Sequence, residues 1–364
     1  MCDLEPGTAR AAAVFGSAVG GATNIPVSVL DLSPVPTGST PGDALRASID
    51  LAQYAERLGY HRFWVAEHHN MPGIASSAPA VLLAHIASAT ETIRVGSGGV
   101  MLPNHAPLVV AEQFGMLDAL HPGRVDLGIG RAPGTDQVTA YALRRSVDAL
   151  SARDFPQHLL ELMGFLSGNF ADDHPFRALH ATPGLGQTPE IWLLGSSDFS
   201  AQLAGALGLP FSFAHHFSPH PMEAALAAYR RAFRPSAGLA TPRVMLAVAA
   251  ICAETEVEAD RIASSQALAF LLVRRGRPAP LPSPDEAAAY PYTAADLAQI
   301  QARRTHQFIG TPDAVRCRLS DLVERTGADE LIVQTMVHDP DARKRSYELL
   351  ADALGVSSAP PVRP

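Results

Sequence analysis

The sequence predicts a closed (β/α)₈ barrel, and three observations carry that reading. Short apolar runs without polar alternation recur along the chain, as parallel strands buried on both faces require. Each run is followed by a longer segment with helical spacing, so strand and helix alternate. Eight such runs occur in 364 residues, whereas a bare barrel needs ~250, so the excess lies in insertions after the fourth and seventh strands. The result is one α/β domain over residues 25–354, with a flexible N-terminal extension, 1–24, and a flexible C-terminal tail, 355–364.

Taken in order, the chain supports each element. The stretch AAAVFGSAVGGA follows Asp3 and Glu5 instead of a basic segment, and its apolar part is short and built from Ala and Gly. It reads as part of the extension and not as a signal peptide. Residues 25–30 form the first strand, before a Pro- and Gly-rich loop at 33–42. Thr40 as N-cap, Pro41 in the first turn and Asp43 three residues on begin a helix. It carries Leu45, Ile49, Ala52, Ala55 and Leu58 at helical spacing and stops at Gly59. The second strand is 62–66, the next helix 78–88, the third strand 93–102, then a helix at 108–120 and the fourth strand at 124–129. That rhythm is close to the ~30 residues of a βαβ unit.

The insertion at 132–190 has helical patches around Val147 and Leu160, and strands at 191–194, 210–214, 244–251 and 330–335 complete the barrel. Residues 274–293, RRGRPAPLPSPDEAAAYPYT, are too rich in Pro and charge for a core element. They read equally as a surface loop and as a lid over the barrel mouth. Gly310, Thr311, Pro312 and Asp313 announce the helix that carries Val315, Leu319 and Leu322.

Composition excludes several function classes. A chain 47% hydrophobic and 18% charged can bury a large core. A formal net charge of -8, with Lys344 as the only lysine, leaves no polybasic patch for nucleic acid or an anionic membrane. No window approaches the ~20 consecutive apolar residues of a membrane span. Cys2, Cys252 and Cys317 lie far apart without a CxxC pair. This fits a reducing, cytoplasmic setting and disfavours a zinc or disulfide framework.

Candidate functional residues gather at strand ends. The second strand runs through Phe63, Trp64, Val65 and Ala66 into Glu67, His68, His69 and Asn70. In βα architectures that C-terminal end faces ligands. His68 and His69 are neighbours on an extended segment, so they point apart and cannot share one metal; no HExxH occurs and no metal site is expected. A structural histidine is the default, yet two beside Glu67 favour catalysis. A neutral imidazole serves as general base, with the carboxylate orienting or polarising it.

The third strand contains Gly96, Ser97, Gly98 and Gly99, which suits either a β-bulge or close approach of something flat. Gly128, Gly130 and Arg131 form part of a dinucleotide fingerprint, but Pro133 replaces its last glycine and no helix follows at once. A buried arginine aimed at an anion is the better reading of Arg131. Leu193 to Ser200 pass from strand straight into helix. Helix amides with the hydroxyls of Ser196, Ser197 and Ser200 suit a phosphate, and ordinary N-capping explains the same residues. His69, His215 and His216 are candidate pocket lining.

EHH at 67–69, GSGGVMLP at 96–103, GRVDLGIGRAPG at 123–134, LLGSS at 193–197 and GTPDAV at 310–315 resemble, in order and spacing, the luciferase-like flavin-dependent monooxygenases. The resemblance covers residues 25–354 and implies an FMN-type flavin at the C-terminal mouth of the barrel. It implies that Arg131, Ser196, Ser197 and Ser200 hold the flavin phosphate, that a non-proline cis peptide beneath the ring lies at Gly98 and Gly99, and that His68 is catalytic. Luciferases proper have an acidic residue where this chain has Ser196, so light emission is not implied. The implied reaction uses reduced FMN from a separate NAD(P)H:flavin reductase, and O2, to oxygenate a small organic substrate through a C4a-peroxyflavin. The implied assembly is a homodimer, for which the helix at 78–89 offers a face. The alternatives are hydride transfer with coenzyme F420 on the same barrel, and a catalytically silent flavin-binding protein, which would have no chemical need for Glu67, His68 and Arg131.

Overall fold

The computed structural model describes residues 25–144 and 153–356. The expected extension at 1–24, the helical patch at Val147 and tail residues 357–364 lie outside the described residues. The strands are β1 (Val27–Asp31), β2 (Arg62–Val65), β3 (Arg94–Ser97), β4 (Val100–Met101), β5 (Val125–Gly130), β6 (Glu190–Gly195), β7 (Phe211–Phe213), β8 (Val244–Cys252), β9 (Phe308–Gly310) and β10 (Glu330–Gln334). The helices are α1 (Pro41–Leu58), α2 (Pro79–Ala89), α3 (Pro107–Leu120), α4 (Gln137–Arg144), α5 (Phe155–Ser167), α6 (Asp198–Leu207), α7 (Met222–Ala232), α8 (Glu256–Arg274), α9 (Pro284–Ala289), α10 (Ala294–Arg304), α11 (Pro312–Thr326) and α12 (Pro340–Leu354).

Eight parallel strands, β1, β2, β3, β5, β6, β7, β8 and β10, form the barrel, and β10 closes it by pairing with both β8 and β1. The apolar runs lack alternation because both strand faces are covered. Phe63 and Val65 of β2 point outward into a layer shared with Leu51, Leu83 and Phe114 of the helices. Trp64 and Ala66 point inward with Leu30, Trp192, Met245 and Ile332, filling the interior as a packed core. Trp64 and Trp192 meet edge to face at 5.7 Å. The Thr40–Asp43 capping box starts α1, and Gly59, at φ 90°, ends it as the sequence predicts.

Four expectations need correction. The third strand does not run unbroken: it stops at Ser97, passes a cis Gly98–Gly99 peptide, and resumes as β4 against β5. Residues 274–293 are not free of core contacts. Leu281 and Ala287 are each 1% exposed, a Ser283–Glu286 capping box starts α9, and Leu281 exchanges backbone hydrogen bonds with Val35 and Thr37 at 2.7 and 2.8 Å. The apolar residues between the prolines supply this anchor. The segment therefore crosses the β1–α1 loop, close enough to the loop after β2 that a Cβ on Gly73 would lie 2.5 Å from the Ala279 carbonyl oxygen. Residues 355 and 356, placed in the tail by the sequence, belong to the end of α12: Gly355 caps the helix and the Val356 amide donates to Ala351. Finally β9, a short strand against the end of β8, escaped notice within the apolar residues before Gly310.

Candidate active site

At the C-terminal end of β2 the Glu67 side chain is fully buried and accepts from several donors at once. Its Oε1 lies 2.9 Å from His69 Nε2 and 2.9 Å from His105 Nε2. Asn104 Nδ2 reaches Oε1 at 3.3 Å, and the Met101 amide donates to Oε2 at 3.0 Å. Burial pushes this carboxyl upward, but the hydrogen bonds from His105, His69 and the Met101 amide outweigh it and hold the pKa below the usual value. Glu67 thus stays ionised and ties β2 to the strand segment just beyond the cis peptide. It does not orient His68, as the sequence suggests; its partners are His69, His105, Asn104 and Met101. Asn104 and His105, between Pro103 and Pro107 at a strand end, were the signal that sequence reading passed over.

His68 points the other way, as adjacent residues on extended chain must. Its Nδ1 is buried with no hydrogen-bond partner in the protein. Burial lowers the pKa, against a smaller opposing pull from Glu67, so the ring is neutral near pH 7. His216 lies on the same side. Its ring Nδ1 is 3.0 Å from the Ala247 carbonyl oxygen, which makes Nδ1 the donor and leaves Nε2 as an acceptor. Burial, reinforced by Arg303 and His68 and opposed by that hydrogen bond, brings His216 down to about 4.

His215 does not join this group. It packs on Phe308 at 5.9 Å between ring centroids and faces His306 at 6.3 Å. Burial first, then His306, brings its pKa down to about 4. Among the described residues no three His, Cys, Asp or Glu side chains converge as metal ligands.

The glycine-rich edges of β3 and β5 pack backbone against backbone. A Cβ on Gly99 would lie 2.7 Å from the Gly128 carbonyl oxygen, and one on Gly128 would lie 2.0 Å from that of Ser97. Gly128 therefore serves close strand contact and not a dinucleotide turn. Past β5, Arg131 is exposed and not buried, because the chain leaves the barrel there for the insertion. Its guanidinium lies 4.3 Å over the ring of Phe199, in the first turn of α6. Ser197 is the N-cap of α6 but makes no side-chain hydrogen bond to it. Ser200 is buried against Gly195, while Ser196 is half-buried. Arg131, Ser196, Ser197 and Ser200 thus gather around one helix start, with Gly98 and Gly99 at the edge of the neighbouring strand pair.

A barrel with its polar side chains at the C-terminal strand ends is the architecture of many enzymes. The family described as luciferase-like monooxygenase matches residues 25–330. A luciferase-like monooxygenase of Escherichia coli is 44% identical over 90% of this chain and 96% of its own. N-acetyl-S-alkylcysteine monooxygenase of Bacillus subtilis is 38% identical over 91% of this chain and 98% of its own. The structure of apo-MsnO8 superposes with a TM-score of 0.82 at 40% identity, covering 92% of this chain and 99% of that one. The chain belongs to the luciferase-like monooxygenase family and is an enzyme of that class. The fold alone is shared, at a TM-score of 0.67 in each case, with the FMN-bound oxygenating constituent of 3,6-diketocamphane monooxygenase, 20% identical over 91% of this chain and 97% of that one, and with an F420-dependent secondary alcohol dehydrogenase, 15% identical over 91% and 99%. No helix among the described residues is long and apolar enough to cross a membrane.

Proposed function

We propose that the chain is an FMN-dependent monooxygenase, and the observation that carries this reading is the buried, partnerless Nδ1 of His68 at the same barrel end as the side-chain-free Gly98–Gly99 edge. The residues fit a flavin: the half-buried Gly98 leaves bare backbone for a flat ring, with Gly99 packed behind it on Gly128, and the Ser197 hydroxyl is not used to cap its own helix. Reduced FMN, which a separate NAD(P)H:flavin reductase would supply, would bring the electrons that activate O2 for transfer of one oxygen atom to a small organic substrate. Arg131 with the hydroxyls of Ser196, Ser197 and Ser200 holds the phosphate. His68, neutral through burial, takes or returns a proton at Nδ1. Glu67 fixes His69 and His105, and the strap through Leu281 excludes water from the mouth. A homodimer is part of the reading, supported by exposed Val81 on α2 and Val109 and Met116 on α3.

Anaerobic titration of the protein with FMN, FMNH2 and F420 tests the cofactor. FMNH2 is expected to bind best; binding of F420 alone makes the protein a hydride-transfer enzyme. Arg131→Ala should weaken flavin binding about tenfold to a hundredfold, a lost charge-assisted contact or two, while turnover of bound flavin is retained. His68→Ala should do the reverse, and equal losses in both variants would remove these role assignments.

A further inference from the structure

Arg303 sits in the last turn of α10, where a basic residue ordinarily serves the helix dipole and faces water. Here it does neither alone. The side chain is half-buried, its Nε is fully buried without a hydrogen-bond partner, and its guanidinium lies 4.3 Å over the ring of Phe270. Nearby arginines are matched: Arg275 binds Asp296 at 2.6 Å, and Arg304 binds Asp260. Among the described residues no carboxylate pairs with Arg303, and burial pulls its pKa down with no acid to oppose it.

Its surroundings point into the active site. Burial keeps the His216 imidazole neutral, and Arg303 and His68 are both near enough to reinforce that. One helical turn before Phe270, on the same face of α8, the Gln266 Nε2 is buried without a partner. Arg303 and Gln266 thus leave two buried donors beside Phe270, one of them cationic, with no carboxylate of the described residues paired to either. A desolvated cation without a counter-charge is costly unless a ligand supplies one. The planar fork of a guanidinium matches a carboxylate.

We infer that the substrate is an organic acid whose carboxylate binds Arg303, with Gln266 as a second donor, at the end of the pocket opposite the reacting group. This rests on the monooxygenase reading above and names its substrate class. The cofactor phosphate is assigned elsewhere, at Arg131 and α6 on the β5–β6 side, whereas Arg303 approaches His216 beyond β7.

The test is calorimetric and needs no turnover. Hexanoate, phenylacetate and N-acetylmethionine are each titrated against the corresponding primary amide, using wild type, Arg303→Met and Arg303→Lys. At least one acid should bind wild type about tenfold or more tightly than its amide. Arg303→Met should erase the preference and Arg303→Lys keep part of it. The Tm of Arg303→Met should be no lower than that of wild type, since the charge it removes has no carboxylate partner and a Met side chain still packs on Phe270. Equal binding of acid and amide throughout overturns the inference, as does a preference that survives Arg303→Met. So does a variant that loses FMN while keeping the acid preference, which would make Arg303 a cofactor ligand. A wild type that prefers acids but binds no FMN would refute the flavin reading and leave this one standing.

Discussion

The two ends of the barrel hold charge in opposite ways. At the floor, where strands begin, Arg62 is 1% exposed. It binds Asp126 at 2.8 Å, Glu190 at 2.7 Å and Glu330 at 2.9 Å. Arg94 and Arg243 complete a set of three arginines against three carboxylates, with Trp64 Nε1 and Ser28 Oγ donating to Asp126 and Glu330. Every charge there has its opposite in the protein. At the mouth the Glu67 group is likewise closed, but His68 Nδ1 and Arg303 Nε are buried without partners. The difference separates roles: a closed ionic network fixes structure, while a buried imidazole and guanidinium without protein partners at the mouth are where a ligand would contribute.

The largest effect should come from breaking the closed end. Arg62→Met leaves Glu330, 1% exposed, with Ser28 and a distant Arg243 at 3.6 Å. Removing one member of a buried ionic network costs about 3–5 kcal/mol, read as a lower urea midpoint at unchanged slope. A loss within the range of ordinary surface changes would contradict the floor's structural role. A smaller effect is expected where the two ends meet along β5. Gly128→Ala places a Cβ 2.0 Å from the Ser97 carbonyl oxygen and 2.8 Å from Leu194 Cδ1. Because β3 backbone must move, overpacking of about 1–3 kcal/mol is expected, with flavin affinity reduced alongside; stability lost without any change at the mouth would separate the two.

The parts that chemistry repeats locally were legible in the sequence, and the parts assembled across the chain were not. The Thr40–Asp43 box, the apolar strands and the polar run from Glu67 are short-range patterns, and the helix and barrel follow from them. The resemblance, more than the spacing, pointed to the cis peptide at Gly98 and Gly99. Arg62 and Glu330 are 268 residues apart, so nothing in either segment announces their contact. Arg131 fails for a related reason: its position after a buried strand suggests burial, but the chain's exit into the insertion exposes it. Arg303 ends an amphipathic helix like many surface arginines, and only the closed barrel reveals that its neighbours are Phe270 and His216.

The smallest effect is a slope. The folded-state pKa of His216, about 4, lies below the ~6.5 of an unfolded histidine. A neutral imidazole facing Arg303 and His68 thus resists the proton that the unfolded chain accepts. Its contribution to stability is fully present above pH ~6.5 and is lost as pH falls toward about 4. His216→Asn keeps an amide nitrogen near the Nδ1 position for the Ala247 carbonyl and removes the titrating ring. In that window the variant should lose stability less steeply than wild type, by up to about 1.4 kcal/mol per pH unit, measured as urea midpoints between pH 7 and 4. His215, also at about 4, is held there mainly by burial and His306 and keeps most of its own slope in both proteins, losing only the smaller pull of His216. A variant with the wild-type slope would mean that His216 is protonated in the folded state, and Arg303 would then face a second cation instead of a neutral ring.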